Sequence, residues 1–329
     1  MVKTPVQISN AHDAFFKRLM SEPKTAGQFL RERLPSDVAG LLSSEPPELL
    51  PGSFVDEELA QHHSDLLFRA HMVSGDDSLL YILIEHKSAP DPWVGLQLLR
   101  YMTKIWDRWR RDGGRRPMPP IIPLVVYHGE KVWTPSLDFS SLLGVIPDEL
   151  RPFIPAFRYA LSDLGQIDDA ALSEQNRLRA FLAAMKYVLR RDLADRIEVV
   201  LADASALDIM DVVNILTYIV DQPNDVDVAS VRQALRRLIP GQEEKIMSVF
   251  MQELRAEVAE QVRAEGKAEG KAEGKAESLL LLLERRFGPV PGEVRDRVSS
   301  ANAEALDLWF DRAIEASSLD VVFSPRLEH

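Results

Sequence analysis

An apolar run, Leu79-Leu80-Tyr81-Ile82-Leu83-Ile84, passes without a break into Glu85-His86-Lys87. Burying an acid and an amine is costly unless they are paired or hold a metal. Side chains two apart on a strand share a face, so Glu85 and Lys87 point one way and His86 the other. Upstream, "SDLLFRAHM" runs into the Gly/Asp turn signal "VSGDDS", and two strand-like runs around such a turn predict a β-hairpin. A turn centred between Gly75 and Asp76 pairs residues whose numbers sum to about 151, which sets Asp65 opposite Glu85 to Lys87 within a slip of one or two. Two carboxylates and the main-chain carbonyl of His86 are hard oxygen donors of the kind that suits Mg²⁺ or Mn²⁺. Lys87 beside a metal-bound water would orient or deprotonate it and steady developing negative charge. Hydrolysis of a phosphodiester needs such a set. Glu-x-Lys on a strand reads, taken alone, as an ion pair; only a joint pattern specifies a site.

The surrounding elements must hold this hairpin. Asn10 is a candidate N-cap for a helix through "AHDAFFKRLM", with Phe15, Phe16 and Leu19 on its apolar side. A second helix is predicted over Lys24 to Arg33, and "SSEPPELLPGS" reads as a loop. After the hairpin, Pro90 and Pro92 open a helix that runs to about Asp112, before Gly113-Gly114. "PPIIPLVVYHGE" is a further β-branched strand. This order predicts an α/β fold with a mixed central sheet flanked by helices. No strand is expected beyond Pro155, and the second half reads as all-helical.

The joint pattern of Asp65, then Glu85-x-Lys87 at the end of the next strand, resembles the PD-(D/E)xK nuclease signature, with Ser64 in the place of its proline. Gln97 and Tyr101 on the following helix match the Q-x-x-x-Y extension of several branches of that superfamily, and residues four apart on a helix are neighbours. "HDAFFKRLM", "DLLFR", "ILIEHKS", the Gln97 helix and "PIIPLVVYHGE", in that order, resemble the Rpn family of recombination-promoting, transposase-like nucleases over about residues 10 to 160. The resemblance implies a restriction-endonuclease-like core and a Mg²⁺-dependent DNA endonuclease linked to recombination, mobile elements or defence against foreign DNA. It places Asp65, Glu85, Lys87 and Gln97 on catalytic positions. His12, Asp13 and Lys17 fall on the family's N-terminal motif, where Asp13 is a secondary candidate for the metal site. The alternative is a non-catalytic nucleic-acid-binding or assembly module.

Composition sets the outer bounds. The 329 residues are 46% hydrophobic and 27% charged, as in ordinary globular proteins. The chain has no cysteine, which excludes disulfides and thiolate zinc sites. No run of about 18 apolar residues is present and no signal-peptide pattern opens the chain, so a cytoplasmic protein without a membrane partner is expected. Net charge is −12, which taken alone disfavours a nucleic-acid partner. Locally the balance reverses: Arg100 to Arg116 holds seven basic residues against two acidic ones, net +5. Arg100, Lys104, Arg108 and Arg111 are candidate phosphate contacts, although helix faces are often basic without such a role. His62, His63, His71 and His128 read as structural or surface histidines, and Trp93, Trp106 and Trp109 as core or interface residues.

The expected organisation is a nuclease-like domain over 1–165, a helical region over 166–263, an Ala-Glu-Gly-Lys repeat over 264–277 and a small helical domain over 278–326, with 327–329 a tag remnant. The repeat places Gly266, Gly270 and Gly274 in a stripe on a helix continuous with Gln242 to Arg263. Each Gly costs about 1 kcal/mol against Ala, so the repeat is either a flexible tether or a seam for a partner helix. Homo-oligomerisation, as a dimer through the C-terminal helices, is the expectation that follows.

Overall fold

The computed structural model describes residues 5–51, 66–73, 79–222, 224, 226–316 and 318–323. Two compact units divide the chain, 1–250 and 251–329.

In the first unit, helices α1 (Pro5–Met20), α2 (Pro23–Arg33) and α3 (Ser36–Ala39) precede strands β1 (Glu48–Leu50), β2 (Leu66–His71) and β3 (Leu79–Lys87). Helix α4 (Val94–Arg111) then leads to β4 (Ile121–Tyr127) and β5 (Ala160–Asp163). The strands form one mixed sheet in the order β1-β2-β3-β4-β5. β1, β2 and β3 run antiparallel, while β4 and β5 join β3 in parallel. A parallel pair needs a long crossover, and α4 supplies it between β3 and β4. These two strands lie at the centre of the sheet, which is why "YILI" and "LVVY" read as continuous apolar runs rather than alternating ones.

The pleat of β3 assigns its faces. Tyr81 and Leu83 pack with Leu67, Val125 and the α4 residues Val94, Leu98, Tyr101, Met102 and Ile105 in one core. Glu85 and Lys87 share their parity and therefore face α4. Ile82, Ile84 and His86 face the other way, where the His86 ring stacks on Phe16 of α1 at 5.5 Å.

Four sequence expectations are corrected. β1 falls inside "SSEPPELLPGS", because three residues with no internal pattern become a strand only by pairing with the edge of β2. β5 lies beyond Pro155 for the same reason: four residues gain their strand character from β4. Helix α1 starts at Pro5, so Asn10 lies inside it and is not its cap. Trp106 and Trp109 are partly buried against the α4 core as expected, but Trp93 is 65% exposed.

Helices α5 (Asn176–Tyr187), α6 (Leu193–Val200), α7 (Ile209–Val220) and α8 (Val228–Leu238) complete the first unit. Phe15 of α1 lies between Phe181 of α5 and Tyr218 of α7, with ring centroids at 4.8 and 3.8 Å. Helix α9 (Glu243–Phe287) is one helix of 45 residues that includes the repeat. It stops at Gly288, which takes a φ of 87° that side chains disfavour. In the second unit, α10 (Gly292–Ser299), α11 (Ala303–Glu315) and α12 (Leu319–Phe323) bury Val298, Leu306, Ala313 and Val322 with Leu279 and Leu283 of α9. Among the described residues no helix is long and apolar enough to cross a membrane.

Candidate functional site

The end of β3 delivers Glu85 into the space between sheet and helix, where it is 1% exposed. Its Oε1 lies 3.0 Å from Lys87 Nζ and accepts from Gln97 Nε2, also at 3.0 Å. Lys87 Nζ donates in turn to Gln97 Oε1 at 2.8 Å. The second amide hydrogen of Gln97 goes to the Tyr101 hydroxyl at 2.8 Å. Gln97 is suited to this bridge because its amide offers both an acceptor for the ammonium and two donors. A helix places Gln97 and Tyr101 on one side, one turn apart, and α4 turns that side to the sheet.

Two features of Glu85 and Lys87 bear on chemistry. The other carboxylate oxygen, Glu85 Oε2, is buried and has no hydrogen-bond partner among the described residues. A buried carboxylate oxygen left so is costly, and a cation is the natural group to satisfy it. Burial alone would lower the pKa of Lys87, but Glu85, by charge and hydrogen bond, and Asp91 outweigh it and hold it above the usual lysine range. In this arrangement Lys87 stands as an ammonium and donates to Gln97.

Asp91 is the member that sequence reasoning missed. Its Oδ2 lies 3.1 Å from Lys87 Nζ and its Oδ1 accepts from Trp93 N at 2.9 Å, just before α4. The signal that was present is that of a turn: an acid between Pro90 and Pro92 is a turn former whose side chain can accept from the backbone two residues on, and it stands four residues beyond Lys87.

Asp65, Ser64, His62 and His63 lie outside the described residues, as do Gly75, Asp76 and Asp77 of the turn. The described ladder runs from His71↔Leu79 to Leu66↔Ile84, in which paired numbers sum to 150, one less than the sequence suggested. Among the described residues no three His, Asp or Glu side chains are grouped to hold a metal ion.

The N-terminal motif goes to the other face of the sheet. His86 Nδ1 lies 3.3 Å from Asp13 Oδ1, with both side chains buried. The His86 ring stacks on His128 at 4.4 Å with 11° between planes, and His12 meets His128 edge-on at 4.8 Å. His12 Nδ1 lies 2.7 Å from the Tyr218 hydroxyl, and His128 Nδ1 lies 3.2 Å from the Met185 carbonyl, which can only accept. Burial, then the neighbouring His86, lowers the His12 pKa to about 3 and pushes His128 well below the usual histidine range. Rings in near-parallel planes cannot aim their in-plane lone pairs at one ion, so His86 and His128 form a packed cluster rather than a metal centre. Asp13, expected as a further group of the metal site, therefore stands against His86 and away from Glu85; Lys17 is half-buried one turn further along α1. The cause is the strand itself, which sends neighbouring side chains to opposite faces.

Arg100, Lys104, Arg108 and Arg111 follow Gln97 along one side of α4 in steps of three and four. Arg100, Arg108 and Arg111 are exposed and Lys104 is half-buried. Arg108 pairs with Asp112 at 2.8 Å, and Arg111 Nε donates to the Asp107 carbonyl at 3.4 Å. His71, at the surface end of β2, lies 3.9 Å from Glu45.

The family described as "Putative transposase, YhgA-like" matches residues 10–210. The chain is similar to Recombination-promoting nuclease RpnD of Escherichia coli O157:H7, at 29% identity over 245 residues, 73% of this chain and 93% of that protein. It is similar to Recombination-promoting nuclease RpnA of Escherichia coli strain K12, at 28% identity over 193 residues, 58% of this chain and 65% of that protein. Inactive recombination-promoting nuclease-like protein RpnE of the same strain is 27% identical over 259 residues, 76% of this chain and 83% of that protein. No solved structure matches the chain.

Proposed function

Because this chain belongs to the family of YhgA-like putative transposases, we propose that it is a metal-dependent DNA endonuclease centred on Glu85 and Lys87. The carrying observation is Glu85 Oε2, a buried carboxylate oxygen without a partner among the described residues, beside a lysine that is held in place from three sides. A donor set of Glu85 and Asp65, completed by the main-chain carbonyl of His86, suits Mg²⁺ or Mn²⁺. Such an ion supplies Lewis-acid polarisation of the phosphate and a water acidic enough to react at neutral pH.

The rest follows from the chain's own side chains. Gln97 fixes Glu85 and Lys87 at once, so the acceptor and donor keep their spacing when α4 and β3 are packed. Lys87, as an ammonium, donates to a phosphate oxygen and steadies the charge that grows on it. Glu85 is almost wholly buried, so its charge acts where little water screens it. The basic side of α4 runs on from Gln97 and gives the DNA backbone a cationic track, although the chain as a whole is acidic. The names of the relatives RpnD and RpnA support a nuclease, and the name of RpnE sets the competing outcome, a protein that no longer cuts.

The test is plasmid cleavage with Mg²⁺ or Mn²⁺ by the wild type, Glu85→Gln and Lys87→Met. Cleavage by the wild type that both variants lose supports the assignment. Full cleavage by both variants refutes the site, and DNA binding without any cleavage by the wild type assigns the binding module instead.

A further inference from the structure

Three acceptors already surround the Lys87 ammonium: it donates to Gln97 Oε1 at 2.8 Å and pairs with Glu85 Oε1 at 3.0 Å and Asp91 Oδ2 at 3.1 Å. A phosphate oxygen that approaches Lys87 competes with these acceptors for the ammonium. Glu85 and Gln97 are tied to each other, and Gln97 also to Tyr101, so neither leaves without breaking the bridge between β3 and α4. Asp91 differs. Its side chain is 31% exposed, against 1% for Glu85, so it is the acceptor on the solvent side. Its two oxygens also have separate tasks. Oδ1 accepts from Trp93 N at the start of α4, and among the described residues Oδ2 meets only the lysine.

We propose that Asp91 Oδ2 occupies the position of a phosphodiester oxygen, an anion within the chain that holds Lys87 until DNA displaces it. This rests on the nuclease reading above, since it takes Lys87 to be the group that meets the phosphate. Asp91 is a positioning residue: it keeps the ammonium extended towards the solvent side of the site, at the cost of competing with substrate for it. The oxygen of Asp91 and a phosphate oxygen are chemically alike towards a lysine, both being anionic acceptors that shorten and strengthen its hydrogen bonds. The phosphate has the advantage of bringing further contacts with it, along the basic side of α4.

The consequence is opposite in sign to the usual loss on mutating a site residue. Asp91→Asn keeps an oxygen for Trp93 N and removes the charge that holds Lys87, so DNA binds more tightly. The measurement is fluorescence anisotropy of a labelled DNA duplex on the full chain, in EDTA so that no cleavage occurs. Near physiological salt, charges beyond about 8 Å are screened and the local exchange is read. Asp91→Asn is expected to tighten binding by about three- to tenfold. The same substitution in a Lys87→Met background is expected to change binding by less than about twofold, because the displaced partner is gone. Asp91→Ser, whose hydroxyl can also accept from Trp93 N, repeats the test should the Asn variant unfold, with circular dichroism on each variant as the check.

Unchanged or weaker binding by folded Asp91→Asn and Asp91→Ser overturns the inference and leaves the nuclease reading standing. Equal tightening with and without Lys87 also overturns it, since Asp91 would then act only through the general field. Failure of the wild type to bind DNA at all overturns this inference, while the nuclease reading stands or falls by the cleavage test above.

Discussion

Gln97 of α4 and Glu85 of β3 meet at 3.0 Å across the packed interface of helix and sheet, and the same amide takes the Lys87 ammonium at 2.8 Å. One neutral side chain thus sets the spacing of two charged ones. Gln97→Ala removes the bridge while leaving Glu85 and Lys87 in the chain. DNA cleavage is expected to fall by about 10- to 100-fold, the usual cost of losing a group that orients site residues. Rates on supercoiled plasmid, read beside thermal unfolding of the same variant, check this; a wild-type rate in a folded variant removes Gln97 from the site.

The histidine cluster on the opposite face makes the fold acid-sensitive. His12 has a pKa of about 3 in the folded chain and about 6.5 unfolded, and His128 is lowered in the same direction. The unfolded state therefore binds more protons between these values. The contribution is fully present above about pH 6.5 and is lost as pH falls towards about 3, at no more than about 1.4 kcal/mol per pH unit for each group. Denaturant unfolding between about pH 7 and about pH 5 should show this decline. A flat stability over that interval contradicts the buried neutral state of both rings.

Tyr218 ties that cluster to α7, since its hydroxyl lies 2.7 Å from His12 Nδ1 while its ring stacks on Phe15. Tyr218→Phe keeps the ring and removes the hydroxyl. The buried His12 nitrogen is left unpaired, and stability is expected to fall by about 1 to 3 kcal/mol. Urea unfolding of the variant against the wild type measures the loss, and an unchanged midpoint shows that the hydrogen bond is not made.

The basic side of α4 is read through salt. If Arg100 and Lys104 contact phosphates, changing each to Gln lowers the slope of log K against log salt by about one per contact. Binding should weaken alike on unrelated DNA sequences, because phosphates carry no sequence information. An unaltered slope in the double variant places the DNA track elsewhere.

Much of this molecule is written locally. The apolar runs of β3 and β4, the proline-opened α4 and the stop at Gly288 each follow from composition and spacing over a few residues. So does the common face of Glu85 and Lys87, because the period of a strand fixes it. The position of Gln97 and Tyr101 on one side of α4 follows in the same way from the period of a helix. What sequence did not reveal are the features that depend on a neighbour. β1 and β5 are too short to carry a pattern and exist as strands only through pairing. Asp13 looked like a companion of Glu85 and is the companion of His86, because the choice between two faces of a sheet is made by packing. Asp91 carries no signal of its own for a place at the site among the prolines before α4 and is a partner of Lys87, because only the folded turn brings its second oxygen within 3.1 Å of the ammonium. Sequence alone determined which chemical groups are present and which of them share an element; tertiary structure decided which of them meet, because distances between elements are set by side chains packed far apart in the chain.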